Sequence, residues 1–339
     1  MKYKTKLLDS STESIEYAAS LLRSGETVGM PTETVYGLAA NAFDPEAVKK
    51  IFEAKGRPQD NPLIVHISSM DMLDELVTFI PDNARKCASE FWPGPLTMIM
   101  PKSDKIPLTT SAGLNTVGIR MPSNKTARSL ITAAGLPLAA PSANLSGSPS
   151  PTKAEHVFKD LNGRIPCIID DGSCAVGVES TVISFEGDTI RLLRPGFISA
   201  EELEAVCGRV LIDKGVTEAV SNDTVVASPG MKYKHYAPKA DITIFDGSAD
   251  AFHSFCLKKA NPDDVLMVFG EEECSDIDCR RICYGSTGEK QARMLFDVLR
   301  KLDEIGAKTV YARCPEKTGV GLAVYNRLLR AAAFRVIKP

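Results

Sequence analysis

Apolar positions along the first two hundred residues switch repeatedly between the three-to-four spacing of a helix and the alternation of a strand. Ser11 to Arg23 reads as a helix and Thr27 to Met30 as a short strand. Asp44-Pro45 then gives an N-cap with proline at the first helical position. Val48, Ile51, Phe52 and Lys55 fall on one stripe, and Gly56 stops the helix. Lys55-Gly56-Arg57 is thereby delivered at a helix C-terminus. Leu63 to Ile67 is a β-branched strand whose period of two puts Ile64 and His66 on the face opposite Leu63, Val65 and Ile67. Thr116 to Arg120 is a further strand, and Ala127 to Ala134 a helix closed by Gly135. Leu138 to Ala140 is a short strand opening into a Ser, Gly and Pro loop that ends at Pro151. A helix near Glu201 to Val206 closes this unit, residues 1–207.

From Gly208 to Pro238 the chain is mostly polar and turn-forming, which predicts a linker over 208–239. The pattern restarts at Asp241 with a strand, a helix and the strand Val265 to Phe269. A helix follows with Ala292, Leu295, Phe296, Leu299 and Leu302 on one stripe, then the strand Thr309 to Tyr311 and a last helix bearing Val324, Leu328 and Ala331. Strands alternating with helices imply a small parallel α/β sheet for residues 240–339. A chain of 339 residues accommodates both domains.

Composition removes several function classes. Lys plus Arg number 40 and Asp plus Glu 43, a net charge of −3 spread almost evenly over the two halves, so neither half is a basic nucleic-acid clamp. Apolar runs such as Leu63 to Ile67 are strand-sized, far short of the ~18 residues of a membrane span. The N-terminus begins basic and turns polar without the apolar centre of a secretory signal, which predicts a cytoplasmic protein. The nine cysteines are scattered without paired short spacings, as expected of reduced thiols. Cys274, Cys279 and Cys283 come nearest to a metal cluster, but they lack both a CxxC and a nearby histidine.

GxxxxGK[ST], GxGxxG after a strand, HExxH and GxSxG are all absent, so nucleotide chemistry here needs another cradle. Pro31 to Leu38 clusters hydroxyls at an element end, which can line a polar pocket but by itself reads first as a capped helix start at Thr32 or Thr34. Lys55 and Arg57 flank a glycine and can aim a point charge and a planar fork at one anion, or Lys55 can simply complement the helix dipole. His66 on its strand is either a packed histidine or a ligand. Arg120 ends a strand before a proline turn, where it can grip a carboxylate with two hydrogen bonds or stand as a surface cation. The loop carrying Ser142, Asn144, Ser146, Ser148 and Ser150 can wrap phosphate oxygens or be an ordinary surface loop.

Taken in order, the segments PTETVYGL, KGRPQDNPL, FWPGPLT, GIRMPS, APSANLSG, VESTV and LLRPG resemble the YrdC-like domain of threonylcarbamoyl-adenylate synthases, and SPGMKYKHYAP resembles the linker of that family's two-domain form. The resemblance implies a twisted mixed sheet around a concave cationic cavity, followed by a Rossmann-like domain. It implies a nucleotidyltransferase that joins L-threonine, bicarbonate or CO2, and ATP into threonylcarbamoyl-AMP with release of pyrophosphate, Mg2+ travelling with ATP. The product would pass to tRNA threonylcarbamoyl-transferase proteins acting next to the anticodon. Carried over residue by residue, Lys55 and Arg57 match the family's catalytic Lys-x-Arg. Thr34, His66, Arg120, Ala140 and Ser180 match threonine-holding positions. Arg57, Asn61, Thr116, Ser142, Asn144, Ser150 and Arg194, with Tyr233 and His235 of the linker, match positions around the nucleotide. The zinc-finger and acylphosphatase-like segments of hydrogenase-maturation carbamoyl transferases are missing, and the near-neutral charge argues against an RNA-binding module.

Overall fold

The computed structural model describes residues 2–59, 61–218 and 236–339. The chain opens with β1 (Lys6–Leu8) and α1 (Thr12–Arg23), whose first turn is capped by the Ser11 hydroxyl accepting from the Ser14 N–H. β2 (Val28–Met30), β3 (Gly37–Asn41) and α2 (Pro45–Lys55) follow. Asp44 caps α2 through the Glu46 and Ala47 N–H groups, and Gly56 ends it at a φ of 60°, which glycine adopts without strain. Next come β4 (Ile64–His66), α3 (Asp82–Phe91), β5 (Leu96–Pro101), α4 (Leu108–Ser111), β6 (Thr116–Arg120) and α5 (Lys125–Ala134). The domain continues through β7 (Leu138–Ala139), α6 (Ala154–Leu161), β8 (Cys167–Ile169), β9 (Thr181–Glu186), β10 (Thr189–Arg194), α7 (Ala200–Cys207) and β11 (Val210–Ile212).

These strands form one mixed sheet in the order β1-β8-β2-β3-β7-β4-β6-β5-β9-β10-β11. Alternation along the strands feeds two apolar layers. Leu38, Ala40 and Val65 join Ile51, Phe52 and Val157 on one face, while Met30, Ala39 and Leu138 join Leu22, Leu130 and Ile131 on the other. Strand β11 differs from expectation. It lies in the stretch read as linker, yet it pairs in parallel with Ile190–Leu192 of β10 and extends the first sheet. Three apolar residues between Gly208 and Asp213 are too short a run to show a period, and only the neighbouring edge makes them a strand.

The second unit comprises β12 (Asp241–Phe245), α8 (Ala249–Lys259), β13 (Val265–Val268), β14 (Arg280–Cys283), α9 (Gly288–Glu304), β15 (Thr309–Arg313), α10 (Gly319–Ala331) and β16 (Val336–Ile337). Its sheet, ordered β14-β13-β15-β12-β16, is parallel throughout, as the alternation of strands and helices requires. The edge strands β14 and β16 escape the sequence pattern because one begins on two exposed arginines and the other has only two residues.

The two units share a core. Val35, Val176 and Val178 of the first pack in one cluster with Tyr236, Leu295, Phe296 and Leu328. Gly177 permits this approach: its φ is 85°, and a Cβ there would stand 2.4 Å from the Arg293 Cα. No helix among the described residues is long and apolar enough to cross a membrane.

Candidate active site

A cleft of about 770 Å³, counting the space at its open mouth, is lined by groups from seven separate segments of the first domain and by Tyr236. Its floor follows from strand register. Parallel pairing of β4 with β6 sets His66 beside Arg120, and the Ala140 N–H donates to the Ile64 carbonyl at 2.9 Å, which brings the end of β7 alongside.

The segment before β3 proves to be a turn, not a helix start. The Thr32 hydroxyl accepts from the Thr34 and Val35 N–H groups at 3.2 and 3.3 Å, and the chain then enters β3. The 140s loop is sewn along it: Leu38 N–H donates to the Pro141 carbonyl and Ala143 N–H to the Tyr36 carbonyl, both at 2.8 Å.

Lys55 reaches this loop from below. Its Nζ donates to the Ser142 carbonyl, to the Asn144 carbonyl at 2.7 Å and to Asn144 Oδ1 at 3.4 Å, three acceptors for the three protons of an ammonium. Burial, and then the neighbouring Arg57, push its pKa well below the usual lysine value. Asn144 in turn donates to the Leu145 and Ser148 carbonyls, both at 2.8 Å, which tightens the loop around its own amide.

At the β4–β6 end, Arg120 gives Nη1 to the Thr34 hydroxyl at 2.9 Å and pairs through Nη2 with Glu33 Oε1 at 2.7 Å. Burial pushes the Glu33 carboxyl up, but the charge and hydrogen bond of Arg120 outweigh it and hold the group below the usual carboxylate range. Arg194 donates Nε to the Ser180 carbonyl and Nη2 to the Ser180 hydroxyl, both at 3.1 Å, while Thr97 shares that hydroxyl at 2.8 Å. Burial and the charge of Arg327 lower the Arg194 pKa to about 10. Glu179 carries a similar balance: burial raises its pKa, and Arg327, Arg194 and the Ser150 hydroxyl together bring it below the ordinary value.

His66 is buried, and its Nδ1 has no hydrogen-bond partner among the described residues. Burial, then the Arg120 charge, depress its pKa from 6.5 to about 3, so the imidazole is neutral at physiological pH. Because the folded value lies below the unfolded one, folding is unaffected above about pH 6.5 and loses stability as pH falls from there towards 3. Denaturant unfolding should therefore show the native chain losing about 2 kcal/mol more between pH 8 and pH 5 than His66→Gln does. Equal losses would mean that His66 titrates normally.

Ten of the residues given a site role by the resemblance line this one cleft: Thr34, Lys55, Arg57, His66, Arg120, Ala140, Ser142, Asn144, Ser180 and Arg194. Ser150 stands just behind it, its hydroxyl donating to Glu179 Oε1 at 2.6 Å. Asn61 is buried and outside the lining. Thr116 faces an adjoining hollow of about 270 Å³ that shares Leu63 and Ile64 with the cleft. Tyr233 and His235 lie outside the described residues. Sequence reasoning passed over Glu33 and Glu179, although both sit inside quoted motifs. A carboxylate in an anion site looks misplaced until its arginine is seen, and the partner of Glu179 is 148 positions away. Tyr236 was visible only as one aromatic of the linker.

Fixed cations and hydroxyls converging on a hollow at strand ends make this an α/β protein with a site suited to anionic ligands. The Sua5–YciO–YrdC family model, described as telomere recombination, matches residues 20–196, and the model of the threonylcarbamoyl-AMP synthase C-terminal domain matches residues 198–333. The threonylcarbamoyl-AMP synthase of Bacillus subtilis is 47% identical over 98% of this chain and 97% of its own length. That of Pyrococcus abyssi is 46% identical over 96% and 95%. The crystal structure of P. abyssi Sua5 complexed with L-threonine superposes with a TM-score of 0.91 at 43% identity, covering 99% of this chain and all of that one. The chain belongs to the threonylcarbamoyl-AMP synthase family, in its two-domain form.

Proposed function

We propose that this chain converts L-threonine, bicarbonate and ATP into L-threonylcarbamoyladenylate and pyrophosphate, for transfer by downstream proteins to the adenosine beside the anticodon of tRNA. The observation that carries the reading is the meeting of Arg120, Thr34 and His66 with Lys55, Arg57, Ser142, Asn144 and Arg194 in one cleft, an amino-acid end beside a polyphosphate end.

Arg120 takes the threonine carboxylate with the donors that Thr34 and Glu33 leave over, and the neutral His66 ring offers its buried nitrogen to the amino acid. Bicarbonate loses hydroxide to become CO2, the neutral threonine amine adds to that carbon, and the proton it sheds joins the hydroxide as water, leaving a carbamate. A carbamate oxygen attacks the α-phosphorus of ATP in line, the bond from that phosphorus to the bridging oxygen breaks, and pyrophosphate leaves. Two anions are brought together in this step, so the chain's contribution is fixed positive charge. Arg57 and Arg194 face the cleft, and Lys55 acts from beneath the 142–144 loop, holding its carbonyls away from the phosphates. Among the described residues, Glu179 in the lining and Glu33 behind it are both committed to arginines. The donor set thus suits a Mg2+ that enters on the triphosphate as part of the substrate.

The decisive assay is pyrophosphate release with the product identified by mass. Release should require both L-threonine and bicarbonate, and release needing neither would reject the reading. Selection against L-serine rests on one methyl group, so kcat/KM for threonine should exceed that for serine by only ~10- to 200-fold. A much larger ratio in the same assay would require a closure driven by the methyl group or an editing step.

A further inference from the structure

The second domain enters the support of this cleft through two buried arginines, one on each helix that faces the first domain. Arg300 of α9 holds the Asp160 carboxylate with both arms of its fork, Nη1 to Oδ1 at 3.1 Å and Nη2 to Oδ2 at 2.8 Å, and Nη2 also donates to the Pro149 carbonyl at 2.6 Å. Asp160 Oδ2 accepts in turn from the Leu145 N–H at 3.3 Å. Arg327 of α10, with no solvent exposure, gives Nε to Glu179 Oε2 at 2.9 Å and Nη1 to the Pro195 carbonyl. The other oxygen of Glu179 receives the Ser150 hydroxyl. The loop that runs from Ser142 to Ser150 is therefore tied at Leu145, Pro149 and Ser150 to cations of the other domain.

That loop presents Ser142, Asn144, Ser146 and Gly147 to the cleft. Rich in serine and poor in apolar anchors, it has no periodic structure to hold its shape, so its ties decide where its N–H groups and hydroxyls point. Buried ion pairs such as these contribute little net stability, because desolvation offsets most of the attraction. They do fix geometry, and breaking one leaves a carboxylate without its cation. At Glu179 that unpaired charge would stand in the wall of a polyphosphate site.

We propose that Arg300 and Arg327 are positioning residues for the nucleotide end of the cleft: the second domain clamps the 142–150 loop in the shape that receives the triphosphate. The assignment of that end to ATP rests on the adenylation reading above, whereas the clamp itself can be tested without turnover.

The test compares the full-length chain with Arg300→Met and Arg327→Met. Amide exchange at Leu145, Ser146 and Ser148 should accelerate at least ~10-fold in either variant. The KM for ATP should rise ~10-fold or more, since a small misplacement of contact groups is enough to cost that much. The directly measured Kd for L-threonine should rise much less than the KM for ATP, because Arg120, Thr34 and His66 hydrogen-bond to neither arginine and only Ser180 adjoins one, through the Glu179 carbonyl that Arg327 Nη2 reaches at 3.4 Å. Adding Glu179→Gln to Arg327→Met should recover part of the ATP affinity by removing the stranded charge. Arg300→Lys and Arg327→Lys keep the charge and give a poorer grip; they should fall between, and they serve where a methionine variant does not fold. Unchanged loop exchange with an ATP KM within about twofold, or equal losses of threonine and ATP affinity, would overturn the clamp. If the native chain releases no pyrophosphate in a threonine- and bicarbonate-dependent way, the adenylation reading fails, and loop exchange still decides the clamp.

Discussion

Lys55→Met is expected to lower threonine- and bicarbonate-dependent pyrophosphate release by about 10²- to 10³-fold or more, the scale lost when one preorganised electrostatic contact to a developing charge is removed. Methionine matches the length of the lysine stem, so the change isolates the ammonium. Two consequences follow from its surroundings. The positive charge under the 142–144 loop disappears, and the Ser142 and Asn144 carbonyls lose the donor that turns them away from the cleft. From sequence alone Lys55→Ala is expected to abolish adenylate formation and leave the fold intact. The buried contacts amend that expectation, because unsatisfied carbonyls cost about 1–3 kcal/mol each, offset in part by no longer burying the charge. A drop in melting temperature of a few degrees should therefore accompany the kinetic loss. Release at near-native rates would remove Lys55 from the mechanism, and a large kinetic loss with unaltered stability would show that the loop contacts carry no weight.

Lys55 also shows which parts of the molecule were legible in the sequence. The Asp44 cap, Pro45 and Gly56 fix both ends of α2, so the placement of Lys55 at its last turn is a local matter. What Lys55 does there is not local, because its acceptors lie 87 and 89 residues away. The same division runs through the site. His66 on a buried strand, the strand ending at Arg120 and the turn-rich loop after Ala140 follow from period and turn chemistry. Their convergence needs the register of β4 against β6 and the bonds from the 140s loop to Tyr36 and Leu38. Resemblance supplied the convergence before the structure did, through the order of its motifs. Neither source pointed to Arg300 or Arg327, which sit on helices whose apolar stripes announce only packing. A buried arginine leaves no mark on a hydrophobic period, and its carboxylate partner can be anywhere in the chain.

The second large effect is expected at Arg120, and the informative change is to lysine. Arg120→Ala would strand Glu33, whose side chain is only 8% exposed, and the cost of an unpaired buried carboxylate, about 3–5 kcal/mol, would confuse stability with binding. Lysine keeps one positive charge in place for Glu33 and removes only the fork. In the native site Nη1 serves Thr34 and Nη2 serves Glu33, and on the proposed reading the remaining donors of this rigid plane go to the threonine carboxylate. An ammonium has three donors on a single atom and cannot span all three partners at once. The KM for L-threonine should rise by about 10- to 100-fold, corresponding to the 1.5–3 kcal/mol of a hydrogen bond to a charged group. kcat at saturating threonine and the KM for ATP should change little, since the lost contact holds the amino acid equally before and during the attack on phosphorus. If both substrates weaken together, Arg120 supports the cleft as a whole. If threonine KM stays within about twofold of native, another group must take the carboxylate, and the amino-acid end of the cleft has to be sought away from the end of β6.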